Sequence, residues 1–258
     1  MGAGAVRYER RGPVAHLTFD RPEARNAMTW TMYDQLAELT DRVDADDDVR
    51  VVVLRGSGGK AFVAGTDIGQ FAEFSSGADG LAYEARIEAI VGRLERVGKP
   101  TVAVVEGYAV GGGLGIAAVC DLRVCTPNAR FGMPIARTLG NCLSMANYAR
   151  LAALLGVARA KELIFTAGFV EAEEALAAGL VTQIIGAEEL DERVAALCAR
   201  LCEHAPITLR VTKEALRRIA ATAVPAGDDL VEEAYGSADF AEGVAAFGDK
   251  RPPRWQSR

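Results

Sequence analysis

The chain has 258 residues, half of them hydrophobic and a quarter charged, with 29 Lys and Arg against 35 Asp and Glu. The resulting charge of −6 argues against a protein that grips nucleic acid by neutralising phosphates, and the apolar content excludes disorder as the main state. No run of 18 apolar residues is free of charge and no apolar stretch opens the chain, so a cytoplasmic protein that meets no membrane is expected.

Val14 to Phe19 is an apolar run of strand length that the turn Asp20-Arg21-Pro22 ends. Thr29 can then cap a helix that carries Met32, Leu36, Leu39 and Val43 on one stripe, and the acidic run from Asp44 to Asp48 reads as a solvated loop. Val51 to Leu54 and Thr101 to Val105 are continuous apolar runs, the pattern of strands buried on both faces, and Leu122 to Cys125 is a shorter one. A helix over 80–97 separates the first two, so parallel pairing with crossovers follows. From about residue 145 the pattern becomes helical, over 145–155, 158–166, 171–178, 188–203, 206–221 and 227–247, with only 180–185 extended.

The five cysteines are an odd number in a chain too long to need disulfides, and they read as free thiols. Cys198 and Cys202 lie four apart on a predicted helix, yet no His or second Cys pair joins them, and no metal site is expected. Neither His16 nor His204 stands in a nucleophile–base arrangement that spacing reveals.

Two glycine-rich segments, 56–69 and 107–115, follow buried strands and lead toward helix starts, where unpaired amides face whatever approaches. Gly113-x-Gly115-x-x-Ala118 fits a dinucleotide fingerprint, but the acidic residue that a ribose would need is missing from positions 128–140. Gly56 to Lys60 is too short for a phosphate loop, and Ala61 replaces its Ser or Thr.

Taken in order, Asp20-Arg21-Pro22-Glu23-Ala24-Arg25-Asn26-Ala27-Met28, Ala61-Phe62-Val63-Ala64-Gly65-Thr66-Asp67-Ile68 and Glu106-Gly107-Tyr108-Ala109-Val110-Gly111-Gly112-Gly113 resemble the crotonase (enoyl-CoA hydratase/isomerase) family. Cys120-Asp121-Leu122, Phe131-Gly132, Leu139-Gly140, Ala177 to Val181 and Glu242 through Lys250-Arg251 extend the likeness over nearly the whole chain. The resemblance implies an α/β fold: a stacked ββα spiral core over 1–195 and a helical C-terminal region over 196–258 that builds a trimer or a dimer of trimers. It implies an acyl-CoA thioester as ligand, with coenzyme A part of the substrate and no separate cofactor.

The same resemblance places the two oxyanion-hole N–H donors on Thr66 and Gly112, and coenzyme A contacts on Arg25, Ala64, Ile68, Phe247 and Lys250. Hydratases of the family carry glutamates at two positions that count here to Gly115 and Ile135, neither of which transfers a proton. Side chains that remain within reach of a reacting carbon are Thr66, Glu73, Thr138, Asn141, Cys142 and Ser144. Methylmalonyl-CoA decarboxylases are similar in lacking the glutamate pair and in carrying a polar residue at the place of Thr66, although Leu143 stands near where they have a tyrosine. The expectation is therefore an enolate-stabilising enzyme other than a two-glutamate hydratase, with a malonyl-type decarboxylase or a non-catalytic acyl-CoA-binding protein as alternatives.

Overall fold

A computed structural model of the chain describes residues 2–72, 74–221 and 226–255. Its strands are β1 (Ala5–Arg11), β2 (Val14–Asp20), β3 (Val51–Gly56), β4 (Ala61–Val63), β5 (Thr101–Val105), β6 (Tyr108–Val110), β7 (Leu122–Cys125), β8 (Arg130–Gly132), β9 (Phe169–Glu171) and β10 (Gln183–Ile184). The helices are α1 (Trp30–Ala45), α2 (Gly77–Glu95), α3 (Gly112–Val119), α4 (Ile135–Thr138), α5 (Met145–Phe165), α6 (Ala172–Ala177), α7 (Leu190–Glu203), α8 (Pro206–Ala221), α9 (Asp228–Tyr235) and α10 (Ala238–Gly248). Among the described residues no helix is long and apolar enough to cross a membrane.

A six-stranded sheet has the order β1-β2-β3-β5-β7-β10, and a four-stranded sheet the order β4-β6-β8-β9. Three successive units, β3-β4-α2, β5-β6-α3 and β7-β8-α4, each send their first strand to the larger sheet and their second to the smaller one. The chain thus climbs as a strand–strand–helix spiral whose three units pair parallel in both sheets, while β1 with β2 and β8 with β9 pair antiparallel. The apolar runs of β3 and β5 are explained by cover on both faces. Val51, Val53, Val102 and Val104 pack with Leu190, Val194 and Leu197 of α7, while Val52, Leu54, Ala103 and Val105 belong to the main core.

Thr29 caps α1 as expected, its hydroxyl accepting from the Met32 N–H, and Asp79 with Ser76 forms a capping box that starts α2. The two helices expected over 145–166 form α5, broken at Gly156, whose φ of 74° is not helical. The extended stretch expected over 180–185 pairs only at Gln183 and Ile184, and residue 195 lies within α7. The alternation that would have announced β1 is missing, because this edge strand keeps only Val6 buried and shows charge to solvent.

Asn26 joins the spiral's loops. It is fully buried; its Nδ2 donates to the carbonyls of Ser57 (3.0 Å) and Ala61 (2.8 Å), and its Oδ1 accepts from the Arg21 N–H (2.9 Å). Its φ of 59° lies in the left-handed region that Asn tolerates better than Ala. Asn26→Ala is therefore expected to lower the unfolding free energy by about 3–4 kcal/mol, measured by urea denaturation, with most of the loss from the three orphaned partners.

Candidate functional site

The two glycine-rich segments meet because a side chain is missing between them. A Cβ built on Gly113 would lie 2.0 Å from the Val63 carbonyl oxygen, so α3 can start against the end of β4 only with glycine there. Met28 then holds the neighbouring loop from below: its N–H donates to Gly65 O (2.8 Å) and its carbonyl accepts from the Asp67 N–H (2.9 Å). Thr66, between those two, faces the other way in the alternation of an extended chain, and its N–H has no backbone acceptor among the described residues. Gly112 is the first residue of α3, where a helix offers its N–H no acceptor, and a Cβ on it would lie 3.8 Å from the Thr66 nitrogen. The two amides are thus neighbours, and α3 adds the positive end of its dipole.

Both amides border a cavity of about 520 Å³ with mainly apolar walls. The expected residues Ala64, Ile68, Thr138, Asn141 and Phe247 line it, as do Gly115 and Ile135. The nearest group to a Cβ on Gly115 is the Asn147 Oδ1, at 3.9 Å, which itself accepts from Arg150. Among the described residues no carboxylate oxygen lies that near a Cβ on Gly115.

Three hydroxyls cluster beside Gly112. Thr66 Oγ1 lies 2.8 Å from Tyr33 Oη and 2.9 Å from Tyr83 Oη. Burial pushes the Tyr33 hydroxyl up to about 12 and the Tyr83 hydroxyl well above its usual value, so both stay protonated. The resemblance nominated Thr66, and the sequence singled out neither tyrosine, although both are buried on α1 and α2.

The cavity also holds a carboxyl that the sequence did not single out. Tyr83, Glu84, Ile87 and Val91 fall on one side of α2 at helical spacing and line the wall together. Glu84 is 6% exposed; its Oε1 accepts from the Tyr235 O–H (2.8 Å) and its Oε2 from the Ser144 N–H (2.9 Å). Burial raises it to about 7, against the opposing pull of those two hydrogen bonds. Asn141 Nδ2 lies 3.2 Å from Tyr235 Oη, and Asn141 Oδ1 is a buried acceptor with no partner among the described residues.

Other nominated side chains lie elsewhere or are already engaged. The Thr138 hydroxyl donates to Pro134 O, and the Ser144 hydroxyl accepts from the Asn147 N–H as the cap of α5. Cys142 packs toward Leu230 O outside the cavity lining, and burial pushes its thiol up to about 12, which leaves no thiolate for nucleophilic attack. Arg25 has its guanidinium 5.3 Å from the Tyr108 ring and lines a second cavity of about 380 Å³ with Lys60 and Arg130, two cations that sequence spacing did not connect. Ala24, the preceding residue, lines the first cavity. Lys250 is exposed beyond α10 and borders neither cavity, and Glu73 lies outside the described residues.

A carboxyl raised from 4.5 to about 7 favours the native state while protonated; that contribution is whole below pH 4.5 and is lost as the pH rises through about 7. Between pH 5 and pH 8 the native chain should therefore lose about 2–3 kcal/mol of unfolding free energy that Glu84→Gln, which cannot titrate, does not lose. Urea denaturation of both proteins at the two pH values measures the difference.

Residues 9–258 match the family described as Enoyl-CoA hydratase/isomerase. A short-chain-enoyl-CoA hydratase of Clostridium acetobutylicum is 34% identical over 255 residues, which cover 97% of each chain. The solved structure of a methylmalonyl-CoA decarboxylase in complex with 2-nitronate-propionyl-CoA is similar with a TM-score of 0.90 at 28% identity, over 98% of both chains. An enoyl-CoA hydratase/carnithine racemase from Magnetospirillum magneticum has a TM-score of 0.80 at 31% identity, over 100% of this chain and 97% of its own. The strand–strand–helix spiral is thus the crotonase-like fold expected from the motifs, and the chain belongs to the enoyl-CoA hydratase/isomerase family.

Proposed function

We propose that the chain is an acyl-CoA thioester-processing enzyme that stabilises a thioester enolate on the N–H groups of Thr66 and Gly112, by a reaction other than two-carboxylate hydration. The observation that carries this reading is the pairing of those two amides at the wall of a mainly apolar cavity, also lined by Gly115 and Ile135, where the resemblance expects the hydratase glutamates. A thioester carbonyl gains negative charge as its α-carbon is ionised, and fixed donors at low dielectric stabilise that charge without reorganising. The phosphates of the coenzyme suit the cavity bordered by Arg25, Lys60 and Arg130, with the acyl end passing Ala24 into the larger cavity.

Decarboxylation of a malonyl-type thioester is the second reading, and the similarity to a methylmalonyl-CoA decarboxylase favours it. In that reaction the bond to the carboxylate breaks and its electron pair becomes the enolate, so no base is needed to form the enolate.

Given a panel of enoyl-, 3-hydroxyacyl- and malonyl-type CoA thioesters, the protein should turn over at least one. Binding with no product by mass spectrometry would leave a non-catalytic acyl-CoA-binding protein, and no binding at millimolar concentration would end the thioester reading. Gly112→Pro should lower kcat by about 10²–10³-fold relative to Gly112→Ala, because both place a Cβ toward Tyr33 Oη but only proline deletes the donor.

A homo-oligomer, a trimer or a dimer of trimers, completes the reading. No residue of α8 is buried although it carries Ile207, Leu209, Val211 and Leu216, and Lys213 ties it to Asp121. Light scattering behind size exclusion should give three or six chains, and Val211→Glu with Leu216→Glu should reduce that number.

A further inference from the structure

Glu84 costs the fold more than an apolar residue at the same place would. It has no ion-pair partner among the described residues, and the next carboxylate along α2, Glu88, is engaged with Arg150, as is Glu95. A buried acid without a cation is destabilising unless its hydrogen bonds are met, and here two donors from distant segments meet them. One donor arrives through a shape made for it: a Cβ on Gly80 would lie 2.2 Å from the Tyr235 side chain, so Tyr235 of α9 packs this closely on α2, one turn before Glu84, because residue 80 is glycine. The other is the Ser144 amide at the start of α5. The carboxyl is held by both in a wall that Thr66 and Gly112 also border.

Resting on the thioester reading above, we propose that Glu84 is the catalytic residue that carries a proton to and from C2 of the bound acyl thioester, the task that Gly115 and Ile135 cannot perform. As a carboxylate it takes the C2 proton: the C2–H bond breaks, an O–H bond forms on Glu84, and the released pair makes the enolate whose oxygen rests on the two amides. In reverse the Glu84 O–H bond breaks, C2–H forms, the pair returns to restore the carbonyl, and a carboxylate remains. When loss of CO₂ makes the enolate instead, the same O–H supplies the C2 proton and a proton from water restores the acid.

Both protonation states are within reach near neutral pH, since burial holds the carboxyl at about 7. The titratable groups around it are Tyr33 of α1, Tyr83 and Glu88 of α2, Cys142 of the loop before α5, Tyr148 of α5 and Tyr235 of α9. Burial pushes the four tyrosines and the thiol upward, so they stay neutral, and Glu88 is matched by Arg150. Glu84 is the group left to titrate. Tyr235 acts through it as a positioning residue, and its hydrogen bond pulls the Glu84 value down.

The test uses butanoyl-CoA, a saturated thioester with nothing to hydrate. Its C2 hydrogens should exchange with D₂O in the presence of the native protein, at a rate that rises with pH through about 7 and then levels. Glu84→Gln keeps the wall intact, because the amide oxygen accepts from the Ser144 N–H while its NH₂ donates to the Tyr235 hydroxyl. It should bind butanoyl-CoA within about threefold of the native affinity by calorimetry yet exchange at least ~100-fold more slowly. Tyr235→Phe should still exchange, with the midpoint of its pH profile moved upward. Exchange by Glu84→Gln at the native rate overturns the proposal, as does an unmoved midpoint in Tyr235→Phe. Native protein that binds butanoyl-CoA without exchanging it overturns the proposal and leaves thioester binding intact, whereas native protein that does not bind it removes both.

Discussion

The site depends on one steric constraint, the contact between the backbone of Gly113 and the carbonyl of Val63. With any side chain at residue 113, α3 would have to withdraw from β4, and the Gly112 amide would leave the Thr66 amide. The arrangement around it serves the same end. Met28 uses the amide and carbonyl on either side of Thr66, Arg21 pairs with Asp67 at 2.6 Å, and Asn26 holds the loop that carries both Arg21 and Met28. Two N–H groups with no acceptor among the described residues are costly unless something returns their hydrogen bonds, and a ligand oxygen placed between them would do so.

The site divides its work between two regions of the chain. The spiral core supplies fixed donors from backbone, the N–H groups of Thr66 and Gly112. The helices that follow supply the acid's surroundings, since Ser144 opens α5 and Tyr235 ends α9.

How much of this the sequence revealed follows from range. β3, β5 and β7 were legible because apolar runs report burial on both faces locally, and Thr29 marked the start of α1 for the same reason. Thr66 and Gly112 were nominated through ordered motifs spread over the chain rather than through any single glycine pattern, and the fold brings the two together. β4, β6, β8 and β9 were not, because three residues are too few for any period to appear. Glu84 was invisible for a different reason: on a helix face it resembles a solvated charge, and the hydroxyl that meets it belongs to a tyrosine 151 residues away. Ser144 was nominated for its hydroxyl, but the group that meets Glu84 is its amide, which every residue but proline possesses.

The crossing of α2 and α9 at Gly80 carries a consequence for how such a protein can change. The acid and the tyrosine that steadies it sit on separate helices that touch where one of them has no side chain. Each can be exchanged without rebuilding the other's backbone, and neither lies on the loops that present the two amides. Helix faces here can therefore be edited one residue at a time, over a floor of backbone amides that stays constant throughout.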